Sequence, residues 1–324
     1  MVNPAEPGME YAAVEANDRC TLAFQTSLPV GEEATLDARY ATCILLLHGF
    51  SGSSAYFTRN FSALSEDHWV VAPDLRGHGN SARPRGGYHV ARLASDLRQL
   101  IGYLNRACSE LESGNQIQFV GVGCSLGAAV LWTYAELFGC GDFRGFAFVD
   151  QAPLQDRSPF GDWDASRAHL TCYDEATMQA AQRAWIYDPA GTHADLVQSC
   201  LGYRYAPEPE TDDISDERWR SDEEFFTRIS ALCDHAWLAK LLADHTRYDH
   251  REAIEDISVP TLVMAGRRTG CFPLEGIKET VRRVETSRPG LARMSVFDSG
   301  HWLFYEEPER FNREIIEFVD SCTT

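Results

Sequence analysis

A serine sits between two glycines at Gly123-Cys-Ser-Leu-Gly127, directly after the apolar run Ile117 to Val122 and directly before a helix-period stretch that opens near Leu126. A strand that reverses at once into a helix holds its turn residue in strained backbone geometry. Glycines two residues to either side remove the Cβ atoms that would collide. Such a turn pushes the Ser125 hydroxyl out at the carboxyl end of a sheet, beside the N–H groups and the positive end of the helix. A hydroxyl so placed is suited to nucleophilic attack, provided that a neutral imidazole takes its proton. Ser299-Gly-His301 offers that imidazole, in a loop after the apolar run Met294 to Phe297 and freed by Gly300. The plainer alternatives are a Gly-Ser turn that only caps a helix and a loop histidine without a chemical role.

The elements that must position these residues alternate. Apolar runs occur at Cys43 to Leu47, Trp69 to Ala72, Ile117 to Val122, Phe146 to Val149, Thr261 to Ala265 and Met294 to Phe297. Nearly continuous apolar strands fit a mostly parallel sheet covered by helices on both faces, an α/β architecture. Helical periodicity falls at Val90 to Leu104, Leu126 to Phe138 and Pro308 to Val319. The alternation stops after Pro153. From Leu154 to Asp256 the pattern is helical, with candidates at Asp174 to Tyr187, Ala194 to Tyr203, Asp222 to Cys233 and Ala236 to His245. The expected organisation is therefore a core of residues 1–153 and 257–324 with an inserted helical cap at 154–256. Met1 to Asp18 reads as a loosely docked tail, and the acidic stretch Glu208 to Glu224 as a solvated linker.

In its motifs the chain resembles the α/β-hydrolase superfamily, over Cys43 to Pro153 and again from about Val259 to Val319. The Ser125 pentapeptide matches the family's nucleophile elbow. His48-Gly-Phe50 follows a strand where the family places its oxyanion loop. Asp74-Leu-Arg-Gly-His-Gly-Asn-Ser81 looks like the family's DxRGxGxS loop, and Ser299-Gly-His301 stands where it carries its catalytic histidine. The resemblance implies an oxyanion hole made of the backbone N–H groups of Phe50 and Leu126, with His48, Arg76 and His78 bracing their loops. It also implies that His301 is the base and that the 154–256 insertion is a cap over the site.

The third triad member departs from the pattern. The family usually carries it in a GxxDxxxP loop after the strand placed here at Thr261 to Ala265, but this chain reads Gly266-Arg-Arg-Thr-Gly-Cys-Phe-Pro273, with Thr269 in the aspartate's place. A neutral hydroxyl cannot stabilise an imidazolium as an anion does. Some members carry the acid at the end of the preceding core strand, which makes Asp150 the candidate. Asp298 and a displaced acid are the alternatives.

The implied activity is hydrolysis of a carboxylic ester or lactone through an acyl-enzyme on Ser125, with no cofactor. Serine at the elbow argues against the epoxide hydrolases and haloalkane dehalogenases of the superfamily, which use a carboxylate nucleophile. Hydrolytic C–C cleavage of a diketone-type substrate and a non-catalytic ligand receptor remain as alternatives. Phe50, Trp185 and Trp302 are expected to line a largely apolar pocket for a small-molecule substrate.

Composition narrows the partners. Lys plus Arg is 29 and Asp plus Glu is 48, a net charge of −19. Nucleic acid and anionic membranes are disfavoured by that balance. The ten cysteines show neither a CxxC pair nor metal-ligand spacing, and the histidines form no HExxH pattern. The expectation is buried thiols in a reducing, cytoplasmic compartment, without a metal.

Overall fold

The computed structural model describes residues 5–30, 42–107, 117–208, 210, 212 and 214–323. The strands are β1 (Glu10–Glu15), β2 (Thr21–Thr26), β3 (Thr42–Leu47), β4 (Trp69–Pro73), β5 (Gln118–Cys124), β6 (Phe143–Val149), β7 (Thr261–Gly266) and β8 (Ala292–Phe297). The helices are α1 (Phe61–Leu64), α2 (Val90–Ala107), α3 (Leu126–Phe138), α4 (Glu175–Tyr187), α5 (Pro189–Cys200), α6 (Gly202–Tyr205), α7 (Asp216–Ser230), α8 (His235–Arg247), α9 (Leu274–Ser287), α10 (Leu303–Glu306) and α11 (Pro308–Thr323).

One sheet runs in the order β1-β2-β4-β3-β5-β6-β7-β8. From β4 to β8 every pairing is parallel; β1 and β2 join antiparallel. The apolar runs of the sequence are its central strands, and Cys43 to Leu47 are fully buried. Glycines show that helices cover both faces. A Cβ on Gly121 would meet Leu131 of α3, whereas one on Gly145 would meet Phe318 and Cys322 of α11. Gly145 pairs with Val120, the neighbour of Gly121, so the two glycines look out of opposite faces.

After β3 the chain passes to β4 on one side and to β5 on the other. The carboxyl ends of β3 and β5 therefore form a topological switch point, the place where open α/β sheets bind ligands. Between the paired strands β6 and β7 the chain leaves the sheet, and residues 150–260 carry α4 to α8. Among the described residues of that stretch there is no strand, only an isolated bridge between Ser158 and Trp163.

Several expectations change in the structure. The N-terminal segment is no loose tail from Glu10 onward: β1 and β2 form a hairpin whose second strand pairs with β4. The polar Gln25 and Thr26 hid this strand from a pattern reading. Both are buried, Thr26 Oγ1 accepting the Trp69 indole N–H at 2.8 Å. The helix expected from Ala194 starts already at Pro189, because proline suits the first helical turn and Asp188 caps it by accepting the Gly191 N–H at 3.1 Å. The expected helix from Ala194 to Tyr203 is split by extended Leu201 into α5 and α6. The acidic stretch is not a solvated linker throughout. Helix α7 begins at Asp216 under a Ser215 cap, and Asp222 is buried, accepting from Tyr203 and Tyr305 at 2.9 and 2.8 Å. Cys108 lies outside the described residues.

Candidate active site

Ser125 joins β5 to α3 with φ 52° and ψ −117°, the left-handed side of backbone space that costs a residue with a Cβ atom. The flanking glycines make the turn possible. A Cβ on Gly123 would stand 2.5 Å from the Gly127 carbonyl carbon, and one on Gly127 would stand 2.4 Å from the Leu47 carbonyl oxygen. The Ser125 N–H is held by the Val149 carbonyl at 2.9 Å, and its side chain is nearly buried.

The loop after β3 lies directly against this turn. A Cβ on Gly49 would be 3.1 Å from Ser125 Cβ and 3.7 Å from its Oγ. His48 fixes that loop, donating from Nδ1 to the Gly49 carbonyl at 2.8 Å and accepting the Leu75 N–H on Nε2 at 3.0 Å. Complete burial holds its pKa well below the usual imidazole range, so it is a neutral brace. The loop after β4 is braced in turn by the buried Arg76, which forks onto Asp96 at 2.5 and 2.7 Å. Leu126 opens α3, so its N–H has no partner within the helix. Neither it nor the Phe50 N–H is spent on another acceptor among the described residues.

Asp150 is the residue that His301 meets. His301 Nδ1 lies 2.6 Å from Asp150 Oδ2, and both side chains are buried. The same oxygen accepts the Thr269 hydroxyl at 2.9 Å, while Oδ1 accepts the Gly266 N–H at 2.8 Å. Like Ser125, Asp150 has a positive φ, 48°. Asp298 points elsewhere: its half-exposed carboxylate pairs with Arg267 at 2.7 Å and Arg268 at 3.3 Å. Burial opposes charge on His301, but the Cys271 sulfur and the Asp150 carboxylate outweigh it, and the imidazole is pushed up to about 10. For Asp150, burial raises the carboxyl above its usual range against the hydrogen bonds it accepts. The direction that the geometry supports for the pair is a stabilised imidazolium.

The Ser125 hydroxyl donates not to His301 but to Gln151 Oε1, at 3.2 Å. Both Ser125 and His301 nevertheless face one cavity of about 290 Å³ between the strand ends and the inserted helices. Phe50, Trp185 and Trp302 stand on its wall as expected, Phe50 edge-on to Trp185 with ring centres 5.3 Å apart. The inserted helices add polar groups, among them Thr192, Asp195, Ser199 and His245. Both ring nitrogens of the buried His245 lack a partner, and burial lowers its pKa to about 3.

A family model described as "Alpha/beta hydrolase family" matches residues 44–314. The chain belongs to the alpha/beta hydrolase family. It is 26% identical over 310 residues to "Epoxide hydrolase A" of Mycobacterium tuberculosis (strain ATCC 25618 / H37Rv), a match covering 86% of this chain and 90% of that one. Among solved structures it is similar to a bromoperoxidase from Bacillus anthracis, with a TM-score of 0.76, 20% identity, and coverage of 96% of this chain and 100% of that one. An esterase from Exiguobacterium antarcticum gives a TM-score of 0.74 at 17% identity, covering 95% and 99%. At such identities the structural likeness shows the fold.

In this alpha/beta hydrolase three features of the site escape a sequence reading. Gln151 takes the serine hydroxyl, but its only signal was adjacency to Asp150. Thr269, in the place where the family pattern has an aspartate, donates its hydroxyl to Asp150. Cys200 and Cys271 stand 3.7 Å apart beside His301, although 71 residues separate them along the chain.

Proposed function

We propose that this hydrolase cleaves a carboxylic ester or lactone of a medium-sized, largely apolar substrate through an acyl-enzyme on Ser125. One observation carries the proposal: the 2.6 Å contact between His301 and a fully buried Asp150, on the wall of the cavity that Ser125 also faces. That contact fixes the imidazole so that Nε2 is left to accept a proton. Attack begins when the Ser125 hydroxyl leaves Gln151 and turns to His301. Its proton passes to Nε2 as Oγ bonds the carbonyl carbon. The oxyanion that forms lies between the Phe50 and Leu126 N–H groups. His301 then returns the proton to the departing alcohol oxygen. A water, deprotonated by the same imidazole, releases the acid and regenerates Ser125.

Residues 154–256 act as the cap that shapes the pocket, with Trp185 from α4 closing over Phe50. Serine at the elbow speaks against the chemistry that gives the epoxide hydrolase relative its name. Among the described residues no helix is long and apolar enough to cross a membrane. The nine described cysteines are not paired in disulfides, which supports a reducing, cytoplasmic setting.

The test is labelling with a fluorophosphonate, followed by mass spectrometry of the Ser125 peptide, beside a panel of esters, lactones and β-diketones. Stoichiometric labelling that Ser125→Ala abolishes, with turnover of esters or lactones, is the expected result. Absence of labelling would point to a ligand receptor on the same fold. Turnover confined to β-diketones would assign C–C cleavage and end the ester reading.

A further inference from the structure

Cys200 ends α5, Cys271 lies in the loop after β7 and His301 in the loop after β8. Three segments remote in sequence thus bring two sulfurs and an imidazole together, all buried, with their ligand atoms within 4.8 Å of one another. The spacing, that of two thiols in hydrogen-bond contact, also fits a shared ion. Two sulfurs bound to one tetrahedral zinc at about 2.3 Å each stand roughly 3.8 Å apart. Cys200 Sγ and Cys271 Sγ are 3.7 Å apart, whereas a disulfide needs about 2.0 Å.

The surroundings suit a metal as well. His301 Nδ1 is held by Asp150, which leaves Nε2 as the ligating nitrogen. A carboxylate behind a histidine is the usual outer support of a metal-bound imidazole. His169 lines the same cavity wall, its Nδ1 accepting the Thr171 and Cys172 N–H groups, each at 3.0 Å. All three side chains line the cavity, which provides an entry path.

We propose that Cys200, Cys271 and His301 form a binding site for a zinc-type divalent ion, and that its occupancy withdraws His301 from Ser125 and switches the enzyme off. Two thiolates and one imidazole are the soft donor set such an ion selects. On binding, the two thiols and Nε2 of the His301 imidazolium lose their protons to solvent as two Zn–S bonds and one Zn–N bond form; no electron is transferred. The binding half stands on the geometry alone. The inhibitory half rests on the proposed serine-hydrolase function.

The experiment uses the full chain, stripped with a chelator and titrated with Co²⁺, then with Zn²⁺ as competitor. One cobalt per chain is expected, with thiolate-to-cobalt charge-transfer absorption in the near ultraviolet and the intense visible bands of tetrahedral cobalt. Cys200→Ser and Cys271→Ser should each weaken uptake by at least about 100-fold, the upper range for loss of a supporting group. Ser125→Ala should bind as the parent does. Zn²⁺ should slow both ester turnover and fluorophosphonate labelling, and chelation should restore them.

Absence of the charge-transfer band, or uptake by either cysteine variant equal to the parent's, would overturn the site. So would thiol counting that finds Cys200 and Cys271 joined in a disulfide and no cobalt bound. Cobalt binding in a chain that hydrolyses no ester would leave the site standing and remove the proposed function. Full turnover by the zinc-loaded chain would remove the inhibitory half.

Discussion

The turn that carries Ser125 and the cluster that carries Asp150 are built in opposite ways. The first is local. Five consecutive residues trace it: a Cβ on Gly123 would meet Gly127 of the same turn at 2.5 Å, and Gly127 alone answers to another element, Leu47 of β3 at 2.4 Å. The second is assembled from afar. Asp150 ends β6, Thr269 and the Gly266 N–H come from the end of β7, and His301 follows β8. Both place a residue at positive φ, 52° for Ser125 and 48° for Asp150, so both hold strain. At Ser125 the strain is met by glycine next door. At Asp150 it is met by three hydrogen bonds to the carboxylate. A local device announces itself as a motif, whereas an assembled one shows only once the strand ends are brought together.

The largest effect that would break this comparison is at Asp150. Asp150→Asn should lower kcat by about 10⁴-fold, from triad precedent, while Asp298→Asn should leave turnover within a few-fold. Steady-state kinetics on one ester decide it. A near-normal Asp150→Asn enzyme would mean that the cluster is only structural.

Thr269→Val should cost less. It removes one of the three hydrogen bonds on the carboxylate and leaves the His301 contact in place. A hydrogen bond to a charged group is worth about 1.5–3 kcal/mol, so a kcat loss of roughly 10- to 100-fold is expected. A Thr269→Ser enzyme should recover most of it. Equal loss in both variants would mean that the hydroxyl is not what matters.

The smallest effect is a shift in pH dependence. His301 is pushed up to about 10, largely by the Cys271 sulfur and Asp150 acting against burial. A raised pKa keeps the imidazole protonated and unable to act as base until the pH climbs. In chelator-treated enzyme, kcat/KM should therefore rise with pH well above the ordinary histidine range. Cys271→Ser removes the sulfur that stabilises the cation, so the acid limb should move to lower pH. A limb that stays put would mean that Asp150 alone raises the imidazole.

Much of this hydrolase was legible before any coordinates. The central strands read as unbroken apolar runs because both faces are covered. The turn at Ser125 and the loops that carry Phe50 and His301 read as motifs because each follows a strand end. Asp150 was legible only as the last residue of its strand. The hairpin of β1 and β2 was not, because its buried Gln25 and Thr26 break the apolar pattern while being satisfied by partners elsewhere. Only the charged first part of α7, before the expected start at Asp222, was hidden, and the burial of Asp222 depends on two tyrosines from other elements.

What the sequence determined by itself is therefore what short-range sterics and periodicity control: strand, turn, helix, and a serine that the turn exposes. What only the tertiary structure decided is which carboxylate meets His301, where the serine hydroxyl rests, and that two cysteines 71 residues apart along the chain come within 3.7 Å. Those contacts depend on how separate strand ends and inserted helices pack, and packing brings together side chains whose separation along the chain carries no trace of it.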